Sequence, residues 1–238
     1  MTASASVSQT AKLRRIAIAF IVVFAALASS ALHAHGVDEQ DKAFIAGASG
    51  VHLIPYMYLG AKHMVTGYDH IAFLVGVVFF LRRLKDVLLY ASLLAAGHSI
   101  TLIGGVLLGT GANSHVIDAI IGLSVVYKGA ENIGLLKKAG WTVDARLAVF
   151  VFGLFHGLGL ATKVQDLGIS PNGLLANLIA FNVGVELGQV IVLALVVSLL
   201  AAWRHRPSFT RYAWAANVLL IMVGLALTGY QVEGYLSS

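Results

Sequence analysis

The chain has 238 residues, of which 58% are hydrophobic and only 11% charged. A soluble domain carries about 25% charged residues, so this composition, with a mean hydropathy of +0.85, is that of a polytopic membrane protein. Cysteine is absent, which excludes disulfides, thiolate metal sites and a cysteine nucleophile. Only four Met argue against a thioether-rich copper(I) path, while nine His suit borderline or harder divalent ions. The formal charge of +5 does not imply nucleic acid, because the basic residues fall at the ends of predicted spans, where they set topology.

Residues 1–34 read as a secretory signal. Lys12, Arg14 and Arg15 form a basic stretch, Ile16 to Ala28 an apolar one, and Ser29-Ser30-Ala31 or Leu32-His33-Ala34 a small-residue cleavage site. The apolar stretch is short for a span, which takes about 20 residues. Residues 35–62 read as a periplasmic or interfacial lead-in, apolar from Phe44 to Leu59 but broken by Gly47, Gly50, His52 and Pro55.

The remainder, 63–238, reads as an all-α bundle of about six transmembrane helices, near 63–82, 86–108, 114–136, 145–163, 173–202 and 211–231. All the loops are short, so sequential spans are expected to be antiparallel neighbours. Arg82, Arg83, Lys85, Lys137, Lys138, Arg146, Arg204, Arg206 and Arg211 fall on one side of these spans, and Lys42, Lys62 and Lys163 on the other. The positive-inside rule assigns the richer side to the cytoplasm, with the mature N-terminus in the periplasm of a bacterial inner membrane, as a signal peptide requires. Gly153 with Gly157, and Gly184 with Gly188, are spaced for close helix contact.

Within these apolar segments stand ionisable and amide side chains, which in a bilayer mark functional sites. At ~1.5 Å per residue, His63, Asp69, His70, His98, His156, Asn182 and Glu186 fall in the outer half of the bundle, while Lys128 and Glu131 lie deeper. His63 and His70 share a helical face, but ~10.5 Å apart along a straight axis they cannot share an ion whose bonds are near 2 Å. Either Gly67 breaks the helix or the two belong to successive sites. Asn182, Glu186 and Gln189 share one face, as do Lys128, Glu131 and Asn132.

The candidate metal ligands are therefore His63, Asp69, His70, His98, His156 and Glu186. The supporting polar residues are Ser99, Thr101, Lys128, Glu131, Asn132, Asn182 and Gln189. Plainer roles compete. His98, Ser99 and Thr101 suit interhelical hydrogen bonding, Asn182 and Glu186 a polar clamp, and Lys128 with Glu131 a neutralising ion pair.

G-A-K-H-M-V-T-G-Y-D-H-I-A-F from Gly60, then A-G-H-S-I-T-L, Y-K-G-A-E-N, F-G-L-F-H-G-L-G-L and F-N-V-G-V-E-L-G-Q occur in this order. This series resembles the HupE/UreJ family of membrane proteins, in its second branch. The resemblance implies a six-span inner-membrane protein made with a cleaved signal, similar to nickel or cobalt permeases that serve hydrogenase or urease maturation. It also implies that His63, Asp69 and His70 match a His-x5-Asp-His motif needed for transport. A second family motif is met only at Phe155-His156-Gly157; Leu158-Gly159-Leu160 follow where the family has another His and a Glu.

Three functions follow as expectations. The first is transport of a divalent metal ion (Ni, Co or Zn) along His, Asp and Glu ligands; no ATP-binding motif is present, so gradients would drive it. The second is an intramembrane zinc-dependent hydrolase acting on a lipid-like substrate. There His70, His98 and His156 would hold the ion, and Asp69 or Glu186 would act as general base. The third is a metal-binding accessory protein serving metalloenzyme maturation partners. The lipid bilayer is a partner in all three.

Overall fold

The computed structural model describes residues 47–166 and 171–237. The expected signal sequence and the first part of the lead-in lie outside the described residues. Within them every regular element is helical: α1 Leu53–Thr66, α2 Tyr68–Val78, α3 Leu84–Leu108, α4 Ser114–Asn132, α5 Leu135–Lys138, α6 Ala145–Asp166, α7 Leu174–Arg204 and α8 Pro207–Ser237.

Four helical segments are long and apolar enough to cross a membrane: Leu84–Leu108, Ala145–Gln165, Leu174–Arg204 and Pro207–Ser237. Their outer faces carry bare aliphatics, such as Val190, Ile191, Leu195 and Leu199 on α7. An outward-facing apolar surface of this kind suits lipid. The short α2 is apolar too. Helix α4 occupies the expected 114–136 position, but Asp118, Lys128 and Glu131 make it less apolar.

The first expected span, 63–82, is built differently. The helix starts at Leu53, not at 63, stops at Thr66, and resumes from Tyr68 to Val78. The two half-helices follow the course of α7. Asn177 donates to Gly50 O and accepts from the His52 N–H, tying the start of α1 to the start of α7. Arg204 at the far end of α7 donates to Val78 O and Phe79 O, 2.6 Å each, and Asn132 donates to Gly76 O at 2.8 Å. Side chains thus satisfy carbonyls at the end of α2 that the helix leaves open.

The extensive interfaces join α1 to α7, α3 to α6, and α4 to α8. This corrects the expectation that sequential spans are the main neighbours. A short loop limits only the distance between two helix ends. Small residues decide which faces come together. A Cβ on Gly184 would stand 1.9 Å from Met57 O, on Gly157 2.1 Å from His98 O, and on Gly122 2.8 Å from the Thr228 N. Gly153 and Gly157 pack on α3, and Gly184 and Gly188 on α1, the close-contact use expected of both pairs. By these contacts α1 runs parallel to α7, α3 parallel to α6, and α4 antiparallel to α8. Consecutive long helices alternate in direction.

Candidate metal centre

The break at Gly67 builds the site. Gly67 has an extended backbone (φ −73°, ψ 102°), and its N–H still donates to His63 O at 2.9 Å. Leaving the helical path for one residue removes the axial separation of His63 and His70, whose ring centroids are 5.0 Å apart. Of the two readings of this motif, the broken helix is the one found. Residue 67 also has to be small, because a Cβ there would stand 2.6 Å from His70 Nδ1.

His70 is buried and oriented by its neighbour. Asp69 Oδ1 lies 3.0 Å from His70 Nδ1 and accepts from the His70 N–H at 2.9 Å. His156 comes from α6, with its ring centroid 5.0 Å from that of His70. His156 Nδ1 lies 2.6 Å from Phe152 O; a carbonyl only accepts, so Nδ1 carries the proton. In both rings the δ nitrogen is engaged and Nε2 is left over, the arrangement metal-ligating histidines adopt.

His98 is brought in by the close approach of α3 and α6, and lies within electrostatic reach of His70 and His156. The buried atoms His63 Nε2, His70 Nε2 and His156 Nε2 have no hydrogen-bond partner, while the His98 ring interacts with the Asn182 side chain. Each such orphan costs about 1–3 kcal/mol in a dry interior, so a cluster of them calls for a ligand. Two imidazoles on one ion, with bonds near 2 Å, have ring centroids about 5 Å apart. The His63–His70 and His70–His156 spacings meet that condition pairwise. Among the described residues, no group of three or more His, Asp or Glu side chains is yet arranged to hold an ion.

The other expected residues divide. Asn182 donates to Ser99 Oγ at 2.8 Å, and Ser99 donates to Ala95 O, forming a polar link beside His98. Thr101 donates to Leu154 O at 2.6 Å, which fastens α3 to α6. Gln189 donates to Ala91 O at 3.0 Å, fastening α7 to α3. Glu186 is not with the imidazoles. It is exposed on α7, 3.4 Å from Asn182 Nδ2, which corrects the inward position expected of it.

Lys128 and Glu131 pair at 2.6 Å, and Asn132 donates to Asn217 Oδ1 as well as to Gly76 O. These groups flank the end of α2. Between them and the imidazoles lies an aromatic layer. Phe73 meets His156 at 5.5 Å and Phe152 at 5.6 Å, and Phe152 meets Tyr127 at 5.3 Å.

One polar pair escaped the reading of the sequence. Lys163 Nζ lies 2.7 Å from Asp118 Oδ2, joining α6 to α4. Asp118 stands in V-I-D-A-I-I, as conspicuous in an apolar run as Lys128; Lys163 closes the expected 145–163 span, where a basic residue reads as a topology signal.

No curated protein and no solved structure matches the chain. A family model described as HupE / UreJ protein matches residues 39–238, which takes in the broken helix, all four imidazoles and every long helix described above. The chain belongs to the HupE/UreJ family.

Proposed function

We propose that this protein is a six-span inner-membrane carrier for a divalent transition metal of the nickel and cobalt kind. The observation that carries the reading is the set of unpartnered imidazole nitrogens of His63, His70 and His156, with His98 within electrostatic reach of His70 and His156. Neutral imidazole is the donor that such ions favour. The alternating helix directions support six spans, with the broken α1–α2 segment counted as one and α4 as another. The basic residues at the Arg204 end support a cytoplasmic face there and a periplasmic N-terminus.

The ion is the cargo. Asp69, with its side chain 16% exposed, sets a carboxylate against the buried His70, and its charge favours an arriving cation. Phe73, Phe152 and Tyr127 close the side toward Lys128 and Glu131. Onward passage requires this layer to part, after which Glu131, 28% exposed, is the next carboxylate. A transport site has to release what it binds. Glu186, being exposed on α7, is not assigned to this path.

Replacing His70 by Ala is expected to abolish nickel and cobalt accumulation in cells while leaving membrane insertion unchanged. Undiminished uptake would remove the proposal. The pairing of His70 with His156, with His98 within electrostatic reach of both, leaves a zinc-dependent hydrolase as the second reading. Release of fatty acid from lipid by the purified zinc-loaded protein would support that reading instead.

A further inference from the structure

The ion pair between α4 and α6 has an uneven exposure. The Asp118 side chain is 7% exposed and that of Lys163 is 26%. The lysine can swing out of the pair on its flexible four-carbon stem. The carboxylate cannot follow. A buried carboxylate stripped of its partner is strongly destabilised, so departure of the ammonium is favourable only when another cation takes its place. The Lys128–Glu131 pair is uneven in the opposite sense, with the lysine at 9% and the carboxylate at 28%; there the cation is the trapped member.

The surroundings leave the lysine as the movable part. Thr162 accepts from the Ala112 N–H and donates to Leu158 O, which fixes the backbone next to Lys163. Gly159 faces the carboxylate without a side chain; a Cβ there would be 3.6 Å from Asp118 Oδ1. Lys163 lies seven residues beyond His156 on the same face of α6, ~10.5 Å along the axis, and within electrostatic reach of His63. The pair therefore stands between the imidazoles and the Thr110–Asn113 end of the bundle.

We propose that Asp118 is a cation-binding station separate from the histidines, occupied at rest by the Lys163 ammonium group and taken over by a divalent cation that displaces it. A carboxylate is a hard donor that binds such ions weakly and reversibly, as an outer station on a route requires. Its purpose rests on the transport reading, but its test does not.

The test uses the full-length purified protein and NiCl2 in equilibrium dialysis. At a Ni2+ concentration too low to displace Lys163 in the wild type, Lys163→Met is expected to bind about one more Ni2+ per chain than the wild type, as a freed carboxylate station would. The gain is expected to persist when His70→Ala is added and to vanish when Asp118→Asn is added. An unchanged Ni2+ content in Lys163→Met would overturn the proposal. A gain in Lys163→Met beside a wild type that binds no Ni2+ through His70 would overturn the transport reading and leave this one standing.

Lys163→Met leaves a buried charge and can fail to fold, so a second measurement uses the unaltered chain. Saturating Ni2+ is expected to raise the rate of reductive methylation of Lys163, read by mass spectrometry, about fivefold or more relative to Lys128, a population shift toward the freed amine. An unchanged rate would overturn the proposal.

Discussion

An imidazole in a dry interior has two nitrogens to satisfy, and here the δ nitrogens of His70 and His156 are engaged by Asp69 and Phe152 O. This makes Asp69 an orienting group as well as a charge. Asp69→Asn is expected to keep the fold and weaken Ni2+ binding roughly 10–100-fold, the usual effect of losing a carboxylate behind a ligating histidine; isothermal titration checks it. Gly67→Ala drives a methyl group against His70 Nδ1 and is expected to abolish binding while the protein still purifies as a monodisperse species. Protons compete with metal for the same lone pairs. Binding should therefore weaken as pH falls through the imidazole range, and a pH-independent affinity would argue against histidine ligation. His63, Asp69 and His70 were legible in the sequence because they crowd one motif. Glu186 misled because it lies about 40° around the helix from Asn182, at 100° per residue. That is enough to carry a side chain past the edge of an interface, and no periodicity shows where a neighbouring helix ends.

At the level of elements, glycine replaces the hydrophobic effect as the guide to packing. Lipid is as apolar as leucine, so helices gain by approaching closely. Gly153, Gly157, Gly184 and Gly188 announced this by their spacing. Gly60 on α1 and Gly97 on α3, which face the same two interfaces, did not, since neither has another glycine three or four residues away. Which helices pair could not be read either, because loop length constrains only helix ends. Gly184→Val is expected to push α1 off α7, where a Cβ already meets Met57 O. Overpacking of this kind costs about 1–3 kcal/mol, seen as a lower unfolding temperature in detergent. A variant as stable as wild type would show that the α1–α7 contact is looser than described.

For the whole molecule, the helix order was legible because long apolar segments declare themselves. The break at Gly67 was legible as one of two alternatives, but the start of the first span was not. Leu53 to Leu59 looks too interrupted to cross a membrane, and only its seat on α7 shows that it supplies the first half of a helix that Tyr68–Val78 completes. The bundle's two ends differ chemically: Arg82, Arg83, Lys137, Lys138 and Arg206 crowd one, while Asn113, Asn172 and Gln165 lie at the other. Because the chain has no cysteine, single cysteines can report orientation cleanly. Asn113→Cys is expected to react with a membrane-impermeant thiol reagent in intact cells and Lys138→Cys only after the membrane is opened; the reverse pattern would invert the topology.

The central proposal is that a divalent metal ion binds among the imidazoles of His63, His70 and His156, whose rings lie side by side. The most direct measurement is the Co2+ content and visible absorption of the purified, tag-free protein, set beside His70→Ala and His156→Ala. The account predicts bound Co2+ with nitrogen-ligand d–d bands in the wild type, lost in both variants. A wild type that binds no Co2+, or variants that bind it with unchanged spectra, would contradict it.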